Sequence, residues 1–182
     1  MNFVRTTAIA ALMLGSGCGI VTENLDGTIT VDFTVDKTTT DYDNELAVNP
    51  NDYAAVRDNC SSIDKETGQI QQITVDLRTA EKHRAQYGYG EVYMRGPTAE
   101  DWPDIATLNP ADAVAVFDRV PLVDGQRVNL IMTPATRRKI ARLVFTENCD
   151  QEVQMKLVGH ADQGPVNFSG HITLTADFVG RF

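Results

Sequence analysis

Val166-Asn-Phe-Ser-Gly-His-Ile-Thr-Leu-Thr-Ala-Asp-Phe-Val-Gly-Arg181 decides the fold class. Val166, Phe168, Ile172, Leu174, Ala176 and Phe178 fall on one side of an extended chain. Asn167, His171, Thr173, Thr175 and Asp177 fall on the other. A strand with one wet and one buried face produces this period of two, whereas a helix needs apolar residues three and four apart. The stretch before it behaves the same way: in residues 152–161, Val153, Met155 and Leu157 share a face. A four-residue loop, 162–165, pairs Met155 with Ile172 and Val153 with Leu174 and keeps both apolar faces together. A hairpin is therefore expected here.

Working outward, residues 27–36 alternate strictly. Ile29, Val31, Phe33 and Val35 lie on one side, and Thr28, Thr30, Asp32 and Thr34 on the other. Ile73, Val75 and Leu77 mark another strand. Residues 88–95 mark a further one, with Tyr89, Glu91 and Tyr93 opposite Val92 and Met94. Residues 112–123 and 127–132 read as a second hairpin around Asp124-Gly125. Placing Val120 and Leu122 on the face of Val128 and Leu130 needs an odd loop, hence a three-residue turn with Gly125 in the left-handed conformation. Pro121 suits an edge strand.

Two short helices interrupt the pattern. Asn49-Pro50 offers a cap and a first helical position, with Tyr53 and Val56 on one face. Thr133-Pro134 does the same for a helix from Ala135 to about Leu143, with Ile140, Leu143 and Val144 at helical spacing. Seven or eight short alternating strands leave each sheet wet on one face, so the sheets must be antiparallel and packed together. The expected fold is all-β: a mainly antiparallel β-sandwich of immunoglobulin-like size with two short helices in its connections. A small β-barrel is the alternative.

The first residues carry a different kind of information. Met1 to Arg5 holds one positive charge, Thr6 to Leu14 is an uncharged apolar run, and Gly15-Ser16-Gly17 precedes Cys18. About nine apolar residues match the core of a secretory signal and fall short of the roughly 20 that span a bilayer. These 18 residues resemble a bacterial lipoprotein signal. The aliphatic residue such signals carry three before the cysteine is here Gly15, with Leu14 one further back. The resemblance implies cleavage after Gly17 and acylation of Cys18. With Gly19 rather than Asp next, it implies sorting to the outer membrane. The resulting plan is a signal peptide over 1–17, a lipid-attached tether over 18–26 and a single β-sandwich domain over 27–182.

The chain has 182 residues, 25 acidic against 16 Lys and Arg, and a formal charge of -9. Phosphate contacts need Lys and Arg, so this is a poor nucleic-acid binder. Membrane attachment is expected through the lipid, because no other apolar run approaches spanning length. The 3 cysteines are Cys18, Cys60 and Cys149. An odd count in an exported protein needs explaining. Acylation of Cys18 accounts for one and leaves Cys60 and Cys149 as a disulfide pair; two separate buried thiols are the alternative.

Catalytic signals are weak, and no cofactor is expected. The three histidines, His83, His160 and His171, are spread along the chain. In the hairpin register His171 faces Lys156 on the wet side, and His160 lies about 13 Å along the strand from Lys156. Ser61, Ser62 and Ser169 sit in no nucleophile elbow. Glu100, Asp101 and Asp104 share one loop and do not show carboxylates opposed across a cleft. No Cys/His spacing suggests zinc. Asp41, Asp43 and Glu45 place alternate oxygen donors as a calcium loop does, but the sixth position is Leu46 and the twelfth Asp52, so the stretch is not an EF-hand. The plainer reading is a solvated acidic loop.

Two surface features remain. Arg137, Arg138, Lys139 and Arg142 gather on the second helix and suit either lipid phosphates or its ordinary wet face. Tyr87, Tyr89 and Tyr93, with Gly88 and Gly90, offer an exposed aromatic patch for a sugar or a protein, strand-face packing being the plainer reading; Trp102 in the following loop is a further candidate for contact with a partner. Two functions survive. The favoured one is a non-catalytic binding or assembly module at the cell envelope, with an envelope protein or glycan as partner. The alternative is a hydrolase whose site is assembled from separated loops.

Overall fold

The computed structural model describes residues 22–62, 69–98, 100–146 and 148–181. The signal sequence and Cys18 lie outside the described residues. Eight strands form two four-stranded sheets: β1 (Thr22–Lys37), β2 (Asp41–Val48), β3 (Gln69–Thr79), β4 (Tyr87–Arg95), β5 (Ala115–Pro121), β6 (Arg127–Asn129), β7 (Val153–Ala161) and β8 (Val166–Arg181). Two helices, α1 (Ala54–Arg57) and α2 (Pro134–Val144), lie in connections. One sheet runs β1-β8-β3-β6 and the other β2-β7-β4-β5, with antiparallel pairing throughout. β4 and β5 are neighbours in both sequence and sheet; every other connection crosses between sheets. This is a β-sandwich wound as a jelly roll of two interlocked Greek keys.

The alternation has the expected consequence. Ile29, Phe33 and Val35 of β1, Ile73 and Leu77 of β3, Met155 of β7, and Phe168, Ile172 and Leu174 of β8 are buried in one core. Tyr42 joins them from β2, its ring edge-on to Phe168 with centroids 5.6 Å apart. Gly170 is required where neighbouring strands of one sheet come close: a Cβ there would lie 2.2 Å from the carbonyl oxygen of Asp76 on β3. β1 begins at Thr22, within the stretch read as a tether.

Two expected hairpins are corrected. β7 and β8 belong to different sheets. Val153 pairs with Val48, not Leu174, and Ile172 pairs with Val31 and Val75, not Met155. Both strands are central in their own sheets, and their apolar faces meet across the core instead of side by side. Alternation says which face is buried; a hairpin and a sandwich corner bury the same face. The segment around Asp124-Gly125 fails for the same reason. β5 ends in one sheet and β6 enters the other against β3, with Val75 opposite Val128. Between the two segments of that expected hairpin, only the bridge from Val116 to Ile131 is seen among the described residues. Gly125 does take a left-handed φ of 74°.

The helix expectations hold closely. Asn49 accepts a hydrogen bond from Asn51 N and opens a 3-10 turn, Pro50–Asp52, just before α1. Thr133 caps α2 by accepting from Thr136 N at 3.1 Å. Ile140, Ala141 and Val144 are the face of α2 that enters the core.

The connections divide by length between the two ends of the sandwich. The short ones are 38–40, 80–86, 122–126 and 162–165; the last three are tied to each other, and Thr40 O of the first accepts from Ala161 N at the end of β7. Asp162 accepts from Gln86 N and Tyr87 N at 2.8 and 3.1 Å, Arg84 N donates to Pro165 O, and Leu122 N donates to Gln86 O. The described parts of the long ones, 49–62, 96–98 with 100–114, and 130–146 with 148–152, lie at the other end, where β1 starts and β8 finishes. There Cys60 and Cys149 form a disulfide that joins the first and third of them.

Candidate functional site

The long-connection end carries two clefts on the outer face of the β2-β7-β4-β5 sheet. Across that face the register aligns Ala47, Gln154 and Arg95 in one row, and Glu45, Lys156 and Tyr93 in the next. Arg95, the last residue of β4, organises the loop that follows it. Its Nε donates to Gln154 Oε1 at 2.7 Å. Its Nη2 and Nη1 donate to the carbonyls of Glu100 and Asp101 at 2.6 and 3.3 Å. The guanidinium also lies 4.1 Å above the centroid of the Trp102 ring. Gln154 donates onward to the Thr98 carbonyl at 3.2 Å. One cation thus fixes the loop by two hydrogen bonds and a ring face while a third hydrogen bond holds it to Gln154 of β7, a geometry for which the planar five-donor head of Arg is suited and Lys is not.

The rest of the loop is held by its own caps. Asp104 accepts from Ala106 N at 3.0 Å, and Asn109 accepts from Ala111 N at 3.1 Å, each opening a 3-10 turn. Trp102 therefore stands on a braced loop and lines both clefts. The first, about 270 Å³, is bounded by Glu45, Arg95, Thr98, Glu100, Asp101 and Gln154. The second, about 280 Å³, is bounded by Tyr93, Leu108, Asn109, Asp112 and Lys139 of α2.

Lys156 is the charged residue that stands out at this site. It is only 5% exposed, and its Nζ donates to Glu45 Oε1 at 2.7 Å. Alternation places Lys156 on the outward face, as the sequence suggested, but the face is covered there. Tyr93 lies beside it, buried, and donates to Glu91 Oε2 at 2.7 Å. Burial and then the Glu91 carboxylate push the Tyr93 phenol well above its usual range, so it stays a hydrogen-bond donor.

The expected aromatic patch is divided. Trp102 and Tyr93 share a cleft. Tyr89 is exposed and paired with His160, about 13 Å further along β4. Tyr87 is half-buried beneath the Arg119 guanidinium, 4.5 Å from its ring centroid. Tyr87 and Tyr89 line neither cleft.

The acidic stretch is also corrected. Asp41, Asp43 and Glu45 are not on a loop but on β2, where alternate residues stand roughly 7 Å apart. Each meets its own nitrogen partner: His160 Nδ1 at 2.6 Å, Lys37 Nζ at 2.6 Å and Lys156 Nζ at 2.7 Å. Their oxygens do not converge, and among the described residues no three His, Cys, Asp or Glu side chains form a metal-ligating group. His171 is likewise not opposite Lys156. It lies between Asp32 of β1 and Asp76 of β3, with Nδ1 on the Asp32 carboxylate.

Arg95 and Gln154 were missed by sequence reasoning. A cation at the end of a strand, seven residues before a lone tryptophan, is a signal only once the loop is known to fold back.

No family model and no curated protein matches the chain. It is similar to solved structures at low identity. The decameric BFDV capsid protein aligns at 13% identity over 87% of this chain and 99% of that one, with a TM-score of 0.44. Turnip yellow mosaic virus aligns at 12% identity over 98% of this chain and 91% of that one, with a TM-score of 0.37. These likenesses add nothing to the strand order already described.

Proposed function

We propose that the chain is an exported lipoprotein, acylated at Cys18, that serves as a non-catalytic binding module of the outer membrane. Its ligand on this reading is an envelope glycan held around Trp102. The observation that carries it is the braced cleft itself: an aromatic plate flanked by Glu100, Asp101, Thr98 and Gln154, all set by Arg95 before any ligand arrives. Sugars present C–H faces that pack on aromatic rings and hydroxyls that need planar donors and acceptors. A pre-formed site loses less ordering entropy on binding.

Trp102 is the only tryptophan, so its fluorescence reports on the cleft without a label. Titration with envelope polysaccharide fragments is expected to shift its emission, and Trp102→Ala and Gln154→Ala to lower affinity tenfold or more. No shift with any fragment, or turnover of a fragment by the purified protein, would overturn the reading. Acylation is tested separately. Cys18→Ser should free the protein from membranes, and full retention after confirmed signal cleavage counts against the anchor.

A further inference from the structure

We propose that the outward face of α2 is a docking surface for the headgroups of anionic lipids, formed by Arg138, Lys139 and Arg142. These three are exposed, Arg142 standing one helical turn after Arg138 and Lys139, and line a cleft of about 430 Å³ with Ala135 and Leu143. Among the described residues none of them meets a carboxylate or a hydrogen-bond partner. Arg137 sits at the edge of the buried face and adds a fourth cation. A quarter of the 16 Lys and Arg thus stand within six residues of a chain whose net charge is -9.

Charge and placement agree. An acidic domain is repelled by an anionic surface everywhere except where its cations gather, so this helix sets the orientation of approach. α2 lies at the end of the sandwich where β1 begins at Thr22, and its Lys139 borders the Trp102 cleft. Cys18 is four residues before Thr22, about 14 Å at full extension, so an anchor there holds this same end near the bilayer. That orientation rests on the acylation proposed above; the charge-dependent attraction does not. The occupant is a lipid surface and not an acidic protein because three of the five residues lining the cleft are cations on long arms and none is aromatic, whereas a protein hot spot is built on buried aromatic anchors.

The test uses the full chain carrying Cys18→Ser, floated with vesicles of phosphatidylcholine alone or of phosphatidylcholine with phosphatidylglycerol. Residues 1–17, which include Arg5, contribute equally to this chain and to its α2 variants, so the part of the vesicle difference that the variants lose reports on the α2 cations. Each basic residue near an anionic surface raises partitioning about fivefold, so three are expected to give a preference on the order of 100-fold at low salt, fading as salt rises. Arg138→Gln/Lys139→Gln/Arg142→Gln, checked by circular dichroism, should abolish it, and Arg138→Lys/Arg142→Lys should keep it. Nitroxide-headgroup lipids should quench Trp102 in the bound state.

Equal partitioning overturns the proposal, as does a preference that survives the triple substitution, or binding without quenching. Competition by millimolar inorganic phosphate overturns it too, by assigning the cations to a discrete phosphate site. Failure of acylation, seen by mass spectrometry of the native chain, leaves this result untouched.

Discussion

Cutting the Cys60–Cys149 bridge gives the most quantitative test of how the fold is held. The bridge spans a sequence separation of 89 residues. In the chain-entropy treatment, closing a loop of that size contributes about 4.6 kcal/mol by restricting the denatured chain. For a chain of this length 1 kcal/mol corresponds to roughly 2–4 °C in Tm, so Cys60→Ala/Cys149→Ala is expected to melt about 10–18 °C below wild type. Alanine is the right replacement: Cys149 is fully buried and Cys60 nearly so, and a serine hydroxyl there would add a desolvation cost of its own. Calorimetry gives the shift, and urea titration should show a larger m as the denatured chain expands. Wild type in reductant must fall to the same Tm, because the lost cross-link is common to both. A loss under about 3 °C refutes the loop-closure argument. A loss in the variant that reduced wild type does not share would place the effect in packing.

Three further perturbations follow from the same geometry. Ile140→Ala removes the fully buried side chain of α2 and should lose about 2–5 kcal/mol in urea denaturation, while exposed Arg138→Gln should change stability by less than about 0.5 kcal/mol. Gly170→Ala forces a Cβ against the Asp76 carbonyl and should destabilise by about 3 kcal/mol, with loss of amide protection along β3. Arg127 hydrogen-bonds Asp76 at 2.7 and 3.0 Å and holds its carboxyl below the ordinary 3.8; a depressed carboxyl stabilises the fold above that value and stops doing so as pH falls through the folded one. Asp76→Asn should therefore lower Tm near neutral pH and converge with wild type below about pH 4, so that its acid limb is flatter; curves that keep the same separation at every pH would show the pair to be inert.

What the sequence made legible was the direction in which each residue faces. Ile29, Val153, Met155 and Leu174 were placed inward by alternation alone, and the caps at Asn49 and Thr133 were visible because capping is local chemistry. Strand partnership was not legible. Met155 and Ile172 each bury the same face in a hairpin or in a corner, and only the neighbours β2, β4, β1 and β3 decide between them. β2 itself was hidden because Asp41, Asp43 and Glu45 read as a polar stretch; the inward partners Tyr42, Leu46 and Val48 carried the alternation, interrupted by Asn44. At the site Trp102 was visible as a lone aromatic in a loop. Arg95 was not, since cation–ring contact depends on a fold-back that no spacing encodes.

The two ends of the sandwich are built on different terms, and that difference is the argument for where function sits. At one end three short connections are locked to each other through Asp162, Gln86, Arg84 and Leu122. At the other, three long connections would each carry a closure cost that grows only slowly with length, so length there is cheap but order is not. Two ties nevertheless hold the described parts of all three. Cys60–Cys149 binds 49–68 to 130–152, and Arg95 clamps 96–114 through Glu100, Asp101 and Trp102. A fold that needed only a closed core could leave such segments loose at its rim. Ordering them with a cross-link and a buried-edge cation makes sense where the ordered shape is used, and the shape they make is the pair of clefts meeting at Trp102 beside the cationic face of α2.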